Sequence, residues 1–457
     1  KKFSTASAPP IASEAGEDGT DEDVPLEVFT DTIPAEESIS QDSSALAPGD
    51  ENGEKDQTEA MESATEATAS PAVAGPDPGK EERFPNFRGP GGNGVCTQKN
   101  IPVDWDGPSG KNILWKTAIP LAGFNSPIIW GDMIFLTGAE ESRREVYALN
   151  RNTGEILWTT PVTNVPGSPA KAPEVANYTG HAAPTMATDG KLLYAIFANG
   201  DMVALDMQGK VAWSKNLGVP VNHYGYSSSL LAHKDKVIIQ YDQKNLAKVI
   251  ALSGATGEVA WSVKRDVKIS WASPVIVNTG RRDELITAAE PLLISYNPDN
   301  GKELWRTEGV SGEVGPSVAY ADGVVVAVND YSRLVAIKAG DSPELLWEDE
   351  EYLSDVPSPV ATKDYLFVAT SYGIVVCYNT KTGEKYWEHE VDNTIYASPL
   401  IAEGKVYMVD KQGVTHIFKV DAEFVSVGTP QLGEKVVCTP AFTDGRIYLR
   451  GYDHLYC

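Results

Sequence analysis

The sequence lacks the features of several large protein classes. It has no run of about 18 apolar residues, so no segment is a candidate transmembrane helix. It has no stripe of basic residues, and its formal net charge is −26. Because binding of nucleic-acid phosphates requires clustered positive charge, we expect no nucleic-acid partner.

Cysteine is scarce. The chain has four cysteines, Cys96, Cys377, Cys438 and Cys457. None of them forms the C-x-x-C or C-x-x-C-H spacing, which excludes zinc-ribbon, thioredoxin-like and c-type haem sites. The spacing leaves the redox compartment open. No Ser/His/Asp triad or paired-carboxylate spacing is evident either, so we predict no catalytic residue and no metal site.

The first 80 residues contain no tryptophan or tyrosine, and they hold 19 acidic against 4 basic residues. Such a composition cannot bury enough apolar area to offset the entropy of ordering the chain. We therefore predict a disordered acidic leader over residues 1–83, either a solvated tether or an acidic interaction tail. The chain begins with Lys1, and we expect an exported protein, periplasmic or associated with the cell envelope, whose signal or lipid anchor has been removed.

A repeat that ends in tryptophan dominates the rest of the chain. Each copy has a small residue, an apolar residue, a polar turn that usually contains glycine, and then a short apolar stretch with Trp. The tryptophans lie 40 to 55 residues apart, and Phe424 is predicted as an eighth member of the series. A period of this length in a β-rich sequence is typical of propeller blades. The seven tryptophans are Trp115, Trp158, Trp213, Trp261, Trp305, Trp347 and Trp387.

Between the tryptophans lie eight predicted β-hairpins, several of them with Asp-Gly or Glu-Gly at the turn. Each repeat therefore contains an A–B hairpin, a strand C and a strand D. The last repeat ends at Cys457 without a strand D, whereas NILWKTAIP (112–120) is a strand D without a preceding repeat. We predict an all-β, eight-bladed β-propeller of four-stranded blades over residues 112–457. Its ring is closed by the N-terminal strand and preceded by an arm at residues 84–111.

The repeats resemble the tryptophan-docking motif of the pyrroloquinoline-quinone-like (PQQ-like) β-propellers. The pattern small-x-(Asn/Asp/Ser)-x-x-(Thr/Asn)-Gly-x-x-x-Trp fits at Ala148, Ala251, Ser295 and Cys377. The stretch FPNFRGPGGNGV (84–95) is similar to the arm of PQQ-like proteins from planctomycete-type bacteria. The family includes quinoprotein alcohol dehydrogenases, which hold PQQ and calcium, and the lipoprotein of the outer-membrane β-barrel assembly machinery, which binds proteins without a cofactor.

The resemblance implies two alternative functions. The dehydrogenases usually carry a disulfide between adjacent cysteines and long insertions between blades, and this sequence has neither. We therefore expect a monomeric, non-catalytic binding or scaffold propeller without a cofactor, for protein–protein interaction or extracytoplasmic sensing. The alternative is a PQQ-dependent oxidoreductase with calcium, in which Trp271 would stack on the quinone and Arg265 would be the counter-ion.

The connections between strand D and the next strand A carry the candidate binding residues. These connections share one face of a propeller, and the residue before strand A approaches the central channel. We predict that five residues form a ring at the channel mouth, either as caps over a narrow pore or as a pocket for a ligand or partner. They are Asn125, His181, Tyr226, Trp271 and Tyr396. The longest such connection, residues 159–183, is a further binding candidate.

Overall fold

The computed structural model of the protein describes Gly79 and residues 83–457. The predicted leader, residues 1–83, lies outside the described residues except for those two positions. The described chain is all β, with one short 3-10 helical turn at Pro90–Gly92. Within this part of the chain, no helix has the length and hydropathy of a membrane span.

Eight antiparallel sheets of four strands form the blades of a propeller. Blades 1 to 4 consist of β4 (Ile128–Trp130), β5 (Met133–Ala139), β6 (Arg144–Asn150) and β7 (Ile156–Pro161); β8 (Ala187–Thr188), β9 (Leu192–Ile196), β10 (Asp201–Asp206) and β11 (Val211–Asn216); β12 (Leu231–His233), β13 (Lys236–Tyr241), β14 (Ala247–Ser253) and β15 (Val259–Arg265); β16 (Val275–Asn278), β17 (Asp283–Ala289), β18 (Leu292–Tyr296) and β19 (Glu303–Glu308).

Blades 5 to 8 follow the same plan. They consist of β20 (Ala319–Ala321), β21 (Val324–Val328), β22 (Leu334–Lys338) and β23 (Glu344–Asp349); β24 (Val360–Ala361), β25 (Tyr365–Ala369), β26 (Ile374–Asn379) and β27 (Lys385–Glu390); β28 (Leu400–Ala402), β29 (Lys405–Val409), β30 (Thr415–Lys419) and β31 (Ser426–Gly428); β32 (Ala441–Thr443), β33 (Arg446–Arg450) and β34 (His454–Tyr456), completed by β3 (Lys116–Ala118). Two short strands precede the ring, β1 (Arg83–Phe84) and β2 (Val95–Cys96).

The N-terminal strand closes the ring, as the sequence predicts. Strand β3 pairs antiparallel with β34, with Thr117 opposite Leu455. The amide of Leu114 also donates to the carbonyl of Cys457 at 2.8 Å. The last blade therefore takes its outer strand from the start of the ring, and no sheet edge is left unpaired at this junction.

The repeated glycine and tryptophan meet between neighbouring blades. A Cβ added to Gly257 of blade 3 would lie 2.7 Å from the ring of Trp213 of blade 2. The indole of Trp213 donates to the carbonyl of Gly254 at 2.7 Å. The glycine turn has a positive φ of 71°, which glycine adopts without strain. The same contact joins Trp115 to Gly154, Trp158 to Gly209, Trp261 to Gly301 and Trp347 to Gly383.

Two details of the repeat differ from the prediction. The D strands do not end at tryptophan but continue for two to four residues beyond it, as β15 does after Trp261. The predicted eighth member, Phe424, is also wrong. The residue that pairs with strand C where the other blades have tryptophan is Gly428, opposite Ile417. A Cβ on Gly428 would lie 2.9 Å from the carbonyl of Val103, so the preceding arm covers this position and excludes a large side chain.

A polar seam joins the inner ends of the blades. Each strand A is preceded by a serine or threonine, and at seven successive junctions the amide of one such residue donates to the hydroxyl of the next, at 2.9–3.1 Å. These hydroxyls satisfy buried amides that no strand pairs. The series runs through Ser126, Thr185, Ser229, Ser273, Ser317, Ser358, Ser398 and Thr439.

The closing junction between blades 8 and 1 has a different connection. The guanidinium of Arg450, which is 1% exposed, donates to Asn125 Oδ1 at 2.7 Å and to the carbonyl of Thr137 at 2.8 Å. The Asn125 amide in turn donates to the carbonyl of Ala182 in the next connection at 2.7 Å. Arg450 and Asn125 thus connect three consecutive segments of the ring.

The segment 83–96 enters the central channel from the side of the A–B turns. Its strand β1 pairs with β4 of blade 1, and β2 runs parallel to β28 of blade 7. Between them, Arg88 is fully buried and donates to the carbonyls of Val318 and Pro359 at the inner ends of blades 5 and 6. Burial lowers the pKa of Arg88 to about 9. The glycine-rich stretch is therefore a plug of the channel and not a phosphate-binding loop.

We predict that strand β3 is needed for a folded ring. Three chains that begin at residues 79, 112 and 121 separate its effect from that of the plug. The first should unfold like the full chain, the second at a lower temperature, and the third should aggregate because β34 becomes an open edge. Thermal unfolding and size-exclusion chromatography measure this, and equal stability of the second and third chains would contradict it.

Trp261→Ala should lower the free energy of unfolding by about 3–5 kcal/mol, because the indole is buried against the next blade. Val259 lies on the same strand and is 58% exposed, so Val259→Ala is the control. It should change stability by less than about 1 kcal/mol. Denaturant titration of both variants measures the difference, and equal effects would show that docking contributes nothing beyond the strand itself.

Candidate functional site

A funnel opens at the centre of the face that carries the D–A and B–C loops, called here the D–A face. Its cavity volume is about 650 Å³. The eight serines and threonines of the polar seam form its lower wall, Phe87 of the plug contributes to its floor, and Trp271, Tyr331 and Tyr396 stand at its mouth. The plug contacts the inner strands on the other side, so the funnel opens on the D–A face.

One wall of the funnel is a packed aromatic cluster. The ring centroids of Tyr224 and Trp271 are 5.2 Å apart, and His223 lies 5.3 Å from Trp271. The indole of Trp271 donates to the carbonyl of Gly225 at 3.1 Å, which fixes the ring. Glu313 Oε1 lies 2.8 Å from His223 Nε2. Burial and the hydrogen bond to Glu313 raise the pKa of Tyr224 to about 12.

The funnel is acidic. Glu313, Asp330 and Asp355 line it, and none of the residues that line it is a lysine or an arginine. Burial and the charge of Asp355 raise the pKa of Tyr396. The opening therefore combines aromatic surfaces with three carboxylates.

The structure brings two of the five predicted site residues to the funnel, namely Trp271 and Tyr396. His181 is half-buried in its loop, and burial lowers its pKa. Asn125 is fully buried at the closing junction, and Tyr226 is 1% exposed with its hydroxyl donating to the carbonyl of Gln240 at 3.0 Å. The polar groups of these two residues are used within the fold. Ligand binding by the set stays a prediction.

Sequence reasoning missed the B–C loop of blade 5, which supplies Asn329, Asp330 and Tyr331 to the funnel. Tyr331 is 99% exposed and has a positive φ of 53°, which is unusual for a bulky residue. The available signal was an aromatic residue in a polar turn, VNDYSR, where the other B–C loops mostly have small or polar residues. The long loop 159–183 does reach the funnel, through Tyr178 and Thr179.

Exposed apolar side chains distinguish the two faces. Seven of the large hydrophobic residues that are exposed in the described chain lie in D–A or B–C loops, whereas the A–B and C–D turns of the opposite face hold none. Apolar exposure concentrated on one face is typical of an interaction surface. The seven are Tyr178, Val219, Val221, Leu246, Tyr331, Val356 and Tyr372.

The residues present do not fit an anionic quinone. The predicted counter-ion, Arg265, has a fully buried side chain and forms an ion pair with Asp242, which is also fully buried. It also donates to Thr287 Oγ1 at 2.9 Å, so it is not available at the funnel. A tricarboxylated cofactor would face Glu313, Asp330 and Asp355 without a lysine or arginine in the lining.

The funnel carboxylates do not converge as calcium ligands do. Among the described residues, the only group of three potential ligands whose atoms lie within 4.8 Å of one another is Glu434, Asp453 and His454. Glu434 already accepts hydrogen bonds from the hydroxyl of Tyr456 and the ring of His454 at 2.6 and 2.8 Å. This group lies outside the funnel lining and serves the contact between β34 and the preceding loop.

Comparison with known proteins assigns the family. A sequence model described as "Outer membrane protein assembly factor BamB" matches residues 53–160, 95–225, 142–288, 245–360 and 341–424. These overlapping matches cover more than half of the chain. The chain belongs to this family. It is a propeller with PQQ-like repeats, as the tryptophan motif predicts.

Individual BamB-family relatives are distant. The outer membrane protein assembly factor BamB of Moranella endobia is 23% identical over 248 residues, which cover 49% of this chain and 60% of the relative. The match thus spans less than two thirds of that protein.

Solved structures share the fold of this BamB-family chain. BamB of Moraxella catarrhalis has a TM-score of 0.56 at 15% identity, covering 76% of this chain and 97% of that chain. A quinohemoprotein alcohol dehydrogenase from Pseudomonas putida HK5 has a TM-score of 0.63 at 12% identity, covering 82% and 80%. Since a scaffold protein and an enzyme match equally well, the likeness shows the propeller fold and does not decide the chemistry.

We predict that PQQ does not bind in the funnel, with or without calcium. Titration with the quinone should give no saturable quenching of tryptophan fluorescence, because the lining repels an anion. Trp271→Phe is the control, since Trp271 is the indole at the mouth. Saturable quenching in the parent that disappears in Trp271→Phe would overturn the prediction and favour the oxidoreductase.

The four thiols should resist alkylation in the folded protein. All four cysteines are free, and burial raises the pKa of Cys96 and Cys377 to about 12 and that of Cys438 and Cys457 to about 11. The thiolate is the reactive form, so N-ethylmaleimide at pH 8 should label them only after unfolding. Mass spectrometry of native and denatured samples measures this, and rapid labelling of a native cysteine would contradict it.

Proposed function

We propose that this chain is a non-catalytic scaffold of the cell envelope that binds protein partners through its D–A face. The observation that carries the proposal is the concentration of exposed aromatic and apolar side chains on this face. The funnel provides concave space at its centre. The name of the matching family, outer membrane protein assembly factor, supports a role in assembling envelope proteins.

The arrangement of rigid and exposed parts supports this proposal. Docked tryptophans and the polar seam hold the blades in a fixed ring, so loops on the D–A face start from rigid strands. Exposed aromatic residues on a rigid base supply contact area at little entropic cost, as Tyr331 does on its short turn. No nucleophile or acid–base pair in the funnel is arranged for catalysis, which leaves binding as the function that the geometry supports best.

Site-specific photo-crosslinking in the native cells tests the proposal. A photoreactive phenylalanine analogue at position 331 should form discrete protein adducts, whereas the same analogue at Lys363 should not. Lys363 is exposed in an A–B turn of the opposite face. Mass spectrometry should identify envelope proteins in the adducts from position 331. Equal adducts from both positions, or none from position 331, would contradict a docking role of the D–A face.

A further inference from the structure

The funnel is short of hydrogen-bond donors. Asn329 lines it and is 3% exposed; its Nδ2 donates to the carbonyl of Ser311 at 2.7 Å, which fixes the orientation of the amide. Its Oδ1 is buried and has no partner among the described residues. The Oδ1 of Asp355, also in the lining, is likewise buried without a donor in this part of the chain. Buried acceptors without donors cost free energy, so an occupant that brings N–H groups is favoured.

The charge of the funnel selects the same kind of occupant. Its three carboxylates are only partly neutralised or bonded: Glu313 contacts His223, and Asp330 accepts the amide of Tyr331 at 2.9 Å. Neither lysine nor arginine is part of the lining. A cleft lined by charges of one sign, with walls of low polarity, concentrates the electric field and attracts the opposite charge.

The aromatic walls provide faces for a cation. Tyr224 and Trp271 lie at one side of the ring, and Tyr331 and Tyr396 come from blades 5 and 6 at the other. The ammonium of Lys411 already lies 4.5 Å from the ring centroid of Tyr396, an internal example of the contact. Aromatic faces attract cations, most strongly where water is excluded.

We propose that the funnel binds a lysine or arginine side chain on an extended segment of a protein partner. Such side chains bring several N–H donors and no acceptor, which matches Asn329 and Asp355. The cavity volume of about 650 Å³ is large enough for such a side chain and its flanking residues. The chain's own first 80 residues carry 19 acidic and 4 basic residues, so their charge does not match the funnel. This inference rests on the proposed scaffold function and specifies the chemistry of the partner.

Peptide binding to the full chain tests the charge requirement. The probe is a short fluorescein-labelled peptide of alternating lysine and serine, followed by fluorescence polarisation. It should bind saturably, and the same peptide with every lysine acetylated should bind about tenfold more weakly or less. Equal affinity for the two peptides would overturn the proposal.

Two charge-matched double variants locate the site. E313Q with D355N removes two funnel carboxylates and should weaken binding of the lysine peptide about tenfold or more. E155Q with D364N removes two exposed carboxylates from the turns of the opposite face and should change affinity by less than about twofold. Circular dichroism and thermal unfolding verify that both variants fold. An equal loss in the two variants would show unspecific attraction to an acidic protein and contradict the proposal.

The outcome separates this proposal from the scaffold function. Adducts from position 331 together with charge-independent peptide binding would leave the scaffold standing and overturn the cation site. Charge-selective binding that E313Q with D355N abolishes, without adducts from position 331, would support the cation site and contradict docking of protein partners in cells.

Discussion

The propeller depends on the pairing of its two ends. Strand β3 beside β34 converts eight sheets in a row into a ring, so that every blade has two neighbours. Tryptophan docking and the polar seam act between neighbours, and both would lack a partner at an open end. The closing junction therefore carries its own reinforcement, in which Arg450 and Asn125 connect blades 8, 1 and the following loop. Asn125 stands before strand A as a site residue would, but it is needed for closure.

Periodicity predicted the fold well because repeated contacts leave repeated residues. The Gly–Trp spacing reports one contact made between successive blades, and the missing strand D after Cys457 points to β3. The prediction failed where a single contact replaces the repeat. Gly428 replaces the tryptophan of blade 7 because the arm, which follows no period, covers that position. Phe424 suited the spacing but lies outside the strand pairing.

The site was less predictable than the ring. Position before strand A correctly suggested Trp271 and Tyr396, but it could not separate them from the buried Tyr226, since burial depends on how each loop packs. Asn329, Asp330 and Tyr331 come from a B–C loop whose pattern has no counterpart in the other blades. The absence of basic residues in the lining also depends on where Arg265 points, and a buried ion pair with Asp242 holds it away from the funnel. Only the three-dimensional arrangement shows that a position suited to an anion's counter-ion is in fact occupied.

The plug of residues 83–96 has a consequence for how any partner leaves. Because Arg88 and its neighbours fill the axis between the inner strands, the funnel has one entrance that is also its exit. A polypeptide cannot thread through the ring; it can insert only a side chain or the tip of a loop and must withdraw it by the same route. Such a dead end needs no free chain terminus, so a segment in the middle of a long protein can be captured and released while the rest of that protein stays outside.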